Sequence, residues 1–235
     1  MNEQLQERTA LIIVDAQRSF MPASEGERLH LNGFGELGVA GGERIVEKIN
    51  RLTIALAENA ENLILITEDW HSIDTAHIAK PPQEPDFVTT WPPHCLAGTA
   101  GAELHPDLLV AQNPHLRTRF IKGTKIASTP EEDDSYTGAL AFNPATGTLL
   151  PDWLREMRAN RVYVAGLALG DGNEHPLCVD STARDLFEQG FEVSLITDAA
   201  EAVLPENREL CFKNLGKMGI TLLTTEQALA EINAA

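Results

Sequence analysis

The stretch RVYVAGLALGDGNEHPLCVDSTARDLFEQG, residues 161–190, joins an apolar run to a segment of helical periodicity. A second apolar run, FEVSLITD at residues 191–198, follows at once. Short runs rich in Val, Ile and Leu that alternate with helices are typical of strands buried on both faces of a parallel sheet. This stretch therefore predicts a strand, a helix and a second strand connected by a right-handed crossover.

The same alternation extends over the rest of the chain. Apolar runs at residues 10–15, 62–67, 116–122 and 220–224 predict four more strands, and residues 42–60, 148–160, 206–219 and 226–234 have helical periodicity. The expected fold class is α/β: a three-layer sandwich with a mostly parallel six-stranded sheet and helices on both faces. A chain of 235 residues is commonly one domain in this class, so we expect a single domain over residues 1–235.

Composition excludes several functions. The formal charge is −17, with 35 acidic against 18 basic residues, which opposes nucleic-acid binding. No apolar stretch approaches the roughly 18 residues that span a bilayer, so no membrane association is expected. Three cysteines make no disulfide framework, which favours a reducing compartment and a cytoplasmic protein.

Three connections are long for an α/β protein: residues 21–41, 69–114 and 123–147. Loops of that size are usually functional or disordered, and the second one carries Asp69, His71, His77 and His94. On an extended chain the side chains of Asp69 and His71 lie on the same face. A carboxylate together with imidazoles is a suitable ligand set for Zn²⁺, Fe²⁺ or Mn²⁺. A set of solvated loop histidines has the same spacing, so spacing leaves both interpretations open.

Longer motifs resemble a known family, the nicotinamidase/pyrazinamidase branch of the isochorismatase-like cysteine hydrolases. The matching segments, between residues 10 and 198, are IIVDAQRSF, DWHSIDTAH, WPPHCLAGTAGAELHPDL, RFIKG with DSYTGALAF, and VYVAGLA with LCVDSTARD. The resemblance implies hydrolysis of nicotinamide, and of pyrazinamide, to the acid and ammonia through a cysteine thioester. It also implies one divalent metal ion, with zinc expected before iron or manganese, that orients the pyridine ring.

Carried over position by position, the resemblance assigns a role to eleven residues. They are Asp15, Lys122 and Cys178 as the catalytic triad; Asp69, His71, His94 and His77 around the metal; Phe20, Trp91 and Tyr136 against the substrate; and Ala168, with Cys178 again, as oxyanion donors.

The chain departs from the family between the strand and the nucleophile. GLALGDGNEHPLC contains an insertion of about six residues, within residues 169–176, whose glycines, asparagine and proline indicate a surface loop. The insertion puts the oxyanion role of Ala168 in doubt more than the role of Cys178, which still begins a helix. That helix N-terminus and Lys122 are expected to lower the pKa of the Cys178 thiol, whereas Cys211 is expected to be a small buried hydrophobe.

Three alternatives stay open at the level of sequence. The chain could be another isochorismatase-like amidase with a different small amide, a hydrolase that uses zinc hydroxide with Cys178 as a bystander, or a catalytically silent binding domain. The expected partner is the small molecule nicotinamide, and a homo-oligomer is left open.

Overall fold

Six parallel strands form the centre of the protein in this computed structural model, which describes residues 8–133 and 135–234. The strand order is β3-β2-β1-β4-β5-β6, and each pairing of neighbours is parallel, which confirms the predicted sheet. The strands are β1 (Arg8–Val14), β2 (Leu63–Asp69), β3 (Thr118–Lys122), β4 (Ala159–Leu169), β5 (Glu192–Ala202) and β6 (Thr221–Leu223).

Helices cover both faces of the sheet, as predicted. They are α1 (Ala23–Leu29), α2 (Ile45–Ala57), α3 (Leu109–Gln112), α4 (Leu150–Glu156), α5 (Cys178–Glu188), α6 (Arg208–Met218) and α7 (Thr225–Ala234). Side chains alternate along β1, so Leu11 and Ile13 pack with α2 and α7, whereas Ile12 and Val14 pack with α4, α5 and α6. Within the two described ranges, no helix combines the length and apolar character needed to cross a bilayer.

The structure corrects the sequence interpretation at three helices. One is the short α3, which lies inside residues 69–114 that were expected to be a loop. Helix α1 lies inside residues 21–41, which were expected to be a loop. It is held by tertiary contacts of Glu25 with His105 and of Arg28 with Asp107 that periodicity does not reveal. The helix predicted over 148–160 ends at Glu156, because Arg158 adopts a left-handed φ of 59° and β4 begins at Ala159.

The register of the sheet brings the carboxyl ends of neighbouring strands together. Asp69 and Lys122 are paired at the ends of β2 and β3, and Asp15 directly follows β1. In open α/β sheets the ligand crevice lies outside these ends, so the fold alone assigns the functional edge.

Candidate active site

Asp15 occupies the turn at the end of β1 and is completely buried. Its φ is 44°, in the left-handed region, and this turn directs the chain away from the sheet. One carboxylate oxygen accepts a hydrogen bond from Thr67 Oγ1 at 2.7 Å, and the other lies 2.8 Å from Lys122 Nζ. Asp15 is therefore fixed by two neighbouring strands.

Lys122 is buried between two carboxylates at the end of β3. Its ammonium contacts Asp15 and Asp69, donates to the carbonyl oxygen of Ser135, and lies 3.4 Å from Cys178 Sγ. Burial alone would lower the pKa of Lys122, but Asp15 and Asp69 hold that pKa well above its ordinary value. The lysine is therefore a fixed positive charge in contact with the cysteine.

Cys178 is the first residue of α5, as predicted, and 8% of it is exposed. Its sulfur and carboxylate oxygens of Asp15 and Asp69 all lie within 4.8 Å of one another. Burial raises the pKa of the Cys178 thiol well above its ordinary value; Lys122 opposes this effect, and the two carboxylates reinforce it. The expected lowering of this pKa is wrong for the resting protein, because desolvation outweighs the helix terminus and the lysine.

A carboxylate and three imidazoles converge beside this triad. One ligand atom each from Asp69, His71 and His94 lie within 4.8 Å of one another. His71 Nδ1 is 3.2 Å from the carbonyl oxygen of Gly123, and His94 Nδ1 is 2.7 Å from that of Pro92. Partners of this kind fix the orientation of a metal-binding imidazole and leave Nε2 for the ion.

His77 completes the cluster at its outer side. Its ring centroid lies 4.5 Å from that of His71 and 6.3 Å from that of His94. Its Nδ1 faces Thr75 and Asp133, while its Nε2 is buried without a hydrogen-bond partner in the part of the chain that the structure describes. Burial lowers the pKa of His77 and lowers that of His94 to about 3, so both rings are neutral. Neutral imidazoles, an unpartnered nitrogen and a carboxylate fit a divalent metal ion.

A cavity opens between the cluster of Asp69 and the three histidines on one side and Cys178 on the other. Its wall brings together the predicted residues Phe20, Trp91, Tyr136, Ala168 and Cys178. The indole Nε1 of Trp91 donates to the Tyr136 hydroxyl at 2.7 Å, which fixes both rings. Aromatic walls with a few polar groups are typical of sites for small ring compounds.

The insertion does not separate Ala168 from the cavity. Ala168 follows a cis peptide bond after Leu167, and the strand continues to Leu169, so the inserted loop spans residues 170–176 and starts one residue later than expected. The loop contains no helix or strand, and its residues 173–175 are exposed, as expected for a surface excursion.

The other two cysteines lie away from the cavity wall. Cys211 is buried in α6, as expected, and its thiol contacts the carbonyl oxygen of Gly170. Cys95 is fully buried, and its backbone N–H donates to Ser19 Oγ. Burial raises the pKa of both thiols, that of Cys211 to about 12. Neither has a contact with Lys122 like that of Cys178 among the residues described.

Sequence reasoning missed the residues that hold the predicted site residues in place. Gln17 is buried, donates to the carbonyl oxygen of Asp69 at 2.8 Å and accepts from its N–H at 2.8 Å, and so fixes the end of β2. Thr67 is two residues before Asp69 on β2, and this spacing is a signal that both side chains share a face. Asp133, facing His77, and the carbonyl of Ser135 carry no such signal.

A parallel α/β sheet that brings a helix-terminal cysteine, a buried lysine and an aspartate into contact has the arrangement of a cysteine hydrolase. Residues 9–227 match the isochorismatase domain, and the chain belongs to that family. The resemblance inferred from the motifs is confirmed.

Within this family, the chain is similar to individual nicotinamidases and pyrazinamidases. The chain is 32% identical over 206 residues to a nicotinamidase of Acinetobacter baylyi, covering 83% of this chain and 81% of that protein. It is 30% identical over 218 residues to the nicotinamidase/pyrazinamidase of Mycobacterium tuberculosis, covering 91% of this chain and 97% of that one. The crystal structure of the Pyrococcus horikoshii pyrazinamidase in complex with zinc superposes with a TM-score of 0.70 at 30% identity, covering 92% of this chain and 99% of that chain.

Proposed function

We propose that the protein is a nicotinamidase that hydrolyses nicotinamide, and also pyrazinamide, to the carboxylic acid and ammonia. The observation that carries this proposal is the contact of Lys122 with Asp15 and with Cys178, which lines an aromatic cavity. The cavity wall is mostly apolar and aromatic, as in sites for small ring compounds, and the relatives named above are nicotinamidases and pyrazinamidases.

In the first half of the reaction, Asp15 takes the proton of the Cys178 thiol. Burial raises the pKa of Asp15, more than Lys122 lowers it, which suits a group that accepts and then returns a proton. The sulfur attacks the carboxamide carbon, and Lys122 stabilises the negative charge beside it. Backbone N–H groups of Ala168 and Cys178 are assigned to the oxyanion. Asp15 then protonates the amine, ammonia leaves and a thioester remains.

In the second half, water resolves the thioester. Asp15 accepts a proton from the water, hydroxide adds to the thioester carbon, and the bond to sulfur breaks. Asp15 returns this proton to the Cys178 sulfur, and the acid departs. Each step uses a group that is already fixed by hydrogen bonds, so little reorganisation accompanies the reaction.

Asp69, His71, His94 and His77 are assigned to one divalent metal ion, with zinc expected first. When bound, the ion would bind the ring nitrogen and orient the substrate. Phe20, Trp91 and Tyr136 are assigned to the faces and edge of the ring, because they line the cavity between the cluster and Cys178.

The deciding experiment measures ammonia release from nicotinamide by the purified protein, together with elemental analysis of the same sample. Turnover with about one equivalent of metal is the expected result. Full metal occupancy without turnover of nicotinamide or pyrazinamide would redirect the proposal to another small amide. The cytoplasmic location and the lack of nucleic-acid binding stay predictions of the sequence.

A further inference from the structure

We propose that Asp180 is a positioning residue that fixes both ends of the inserted loop, residues 170–176, and thereby holds Cys178 and Ala168 in register. The catalytic part of this inference rests on the proposed function. Asp180 lies in the first turn of α5, two residues after Cys178, and only 5% of it is exposed.

A single oxygen atom of Asp180 binds the chain before and after the loop. Oδ1 accepts a hydrogen bond from the Gly170 N–H at 3.2 Å and another from the Leu177 N–H at 2.9 Å. Because both donors reach the same atom, the chain must leave β4 and enter α5 at nearly the same point. The loop is thus closed at its base by the side chain of the helix that it precedes.

Two other contacts lie at or next to the base: the Cys211 thiol contacts the Gly170 carbonyl oxygen, and the Asp171 N–H donates to the His175 carbonyl oxygen at 3.2 Å. The remaining contacts of the loop lie further out. Asp171 Oδ1 accepts from the N–H groups of Asn173 and His175, which shapes the tip. Asn214 of α6 donates to the carbonyl oxygen of Gly172, which anchors the tip sideways. These bonds hold the loop to itself and to α6, whereas Asp180 connects its two ends to α5.

Gly170 shows how tightly the base is closed. A Cβ atom at this position would lie 2.1 Å from the carbonyl oxygen of His175 and 2.9 Å from the Leu177 nitrogen. Any side chain would therefore force the two ends apart. Close approach of two backbone segments is a common reason for glycine, and here the approach occurs next to the Asp180 carboxylate.

The closed base determines the geometry of the reaction centre. Ala168 precedes Gly170 by two residues, Cys178 directly follows Leu177, and Ala168, Leu177 and Cys178 all line the cavity. Oxyanion donors stabilise a transition state only when their positions are fixed. Without the two hydrogen bonds to Asp180, the Ala168 and Cys178 N–H groups could move relative to each other. A displacement of about 1 Å can lower the rate roughly 100-fold.

An aspartate at the third position of a helix is often a simple cap that stabilises the helix. The bond to Gly170 distinguishes Asp180 from such a cap, because Gly170 belongs to the end of β4 and not to the helix. Asp198 offers a matched control: it accepts from the N–H and the hydroxyl of Thr225 at the start of α7, at 2.7 and 2.8 Å. Asp198→Ala removes helix-terminal bonds of the same kind away from the cavity wall.

The test compares Asp180→Ala, Asp180→Asn and Asp198→Ala in the full chain. Asp180→Ala should lower kcat for nicotinamide by about 10- to 100-fold, with KM within about threefold, because positioning acts on the transition state. Asp180→Asn keeps an oxygen acceptor and should stay within about threefold of the unaltered protein. Hydrogen exchange of the Gly170 and Leu177 amides should accelerate in Asp180→Ala and stay slow in Asp180→Asn.

Three results would overturn the inference. One is an Asp180→Ala enzyme with unaltered kcat, and the second is an Asp180→Asn enzyme as slow as Asp180→Ala. The third is an equal loss of kcat in Asp198→Ala at a matched loss of Tm, which would reduce the effect to general stability. If the unaltered protein releases no ammonia, the proposed function fails, and amide exchange in the two Asp180 variants still decides whether the carboxylate pins the loop.

Discussion

Lys122 Nζ lies 3.4 Å from Cys178 Sγ while also contacting the Asp15 carboxylate at 2.8 Å. Burial raises the pKa of both Cys178 and Asp15, so the resting pair is a thiol beside a carboxylate that binds protons readily. Two routes to the reactive sulfur are conceivable: a thiolate already present in the free enzyme, or a thiol that gives its proton to Asp15 during the attack. The raised pKa of both groups favours the second route.

Replacing the nucleophile should separate catalysis from metal binding. Cys178→Ala should reduce turnover by at least about 10⁴-fold, because nucleophile and proton acceptor act as a unit, and should leave metal content unchanged. Cys211→Ser is the control, since it keeps a donor for the Gly170 carbonyl. Substantial turnover by Cys178→Ala would instead support hydrolysis by metal-bound hydroxide.

Removing the buried ammonium should damage both stability and catalysis. Lys122→Met leaves Asp15 and Asp69 buried without their cation, so we expect about 3–5 kcal/mol lower stability and a loss of turnover of roughly 1,000-fold. Lys125→Met, three residues further along and exposed, should change neither. Urea unfolding and ammonia release measure the two effects; equal behaviour of the two variants would remove Lys122 from the mechanism.

The metal assignment predicts a graded effect of the three histidines. The double change His71→Ala and His94→Ala should strip the metal and raise KM strongly, since both rings belong to the group within 4.8 Å. His77→Ala should retain more metal, because its ring lies further from His94. Elemental analysis measures the metal content of each variant, and His115→Ala, at an exposed position, is the control. A stoichiometric metal content in the double variant would rule out this metal site.

The aromatic wall predicts a selective effect of one hydroxyl. Tyr136→Phe removes the acceptor for the Trp91 indole, so KM for nicotinamide should rise about fivefold, as expected for a lost bond of about 1 kcal/mol. Tyr163→Phe is the matched control, because its hydroxyl donates to Glu231 instead. Steady-state kinetics of both variants provide the measurement. An unchanged KM in Tyr136→Phe would show that the hydrogen bond orienting Trp91 does not contribute to substrate binding.

The Asp180 carboxyl predicts a pH dependence of stability. Burial raises the pKa of the Asp180 carboxyl to about 6. The backbone N–H groups of Leu177 and Gly170 and the charge of Arg184 oppose this rise. Cys211 also lies close enough to Asp180 to interact electrostatically. Because folding raises the pKa of Asp180, the protonated carboxyl contributes to the stability of the folded state. This contribution is fully present at a pH below 3.8, the pKa in the unfolded chain, and is lost as the pH rises through about 6, the pKa in the folded chain.

Asp180→Asn does not titrate, so its Tm relative to that of the unaltered protein should increase between pH 4 and pH 7, by a few degrees. Thermal unfolding at several pH values measures the difference. A Tm difference independent of pH would show that Asp180 has the same pKa in the folded and unfolded chains.

The sequence by itself determined the sheet, the edge that carries chemistry and the residues placed there. Strands buried on both faces must be apolar throughout, so they are visible as runs. Parallel strands end at a common edge, which is why Asp15, Asp69 and Lys122 could be placed together, whereas Cys178 was placed with them by the family resemblance. Only the tertiary structure revealed the contacts and elements that surround the site and hold it in place. They are the hydrogen bonds of Gln17 to Asp69, helix α1 within residues 21–41, and the bonds of Asp180 that close the inserted loop. It also reversed the expected pKa shift of Cys178. Desolvation and contacts between residues distant in sequence depend on how the elements pack, and local periodicity carries no record of that packing.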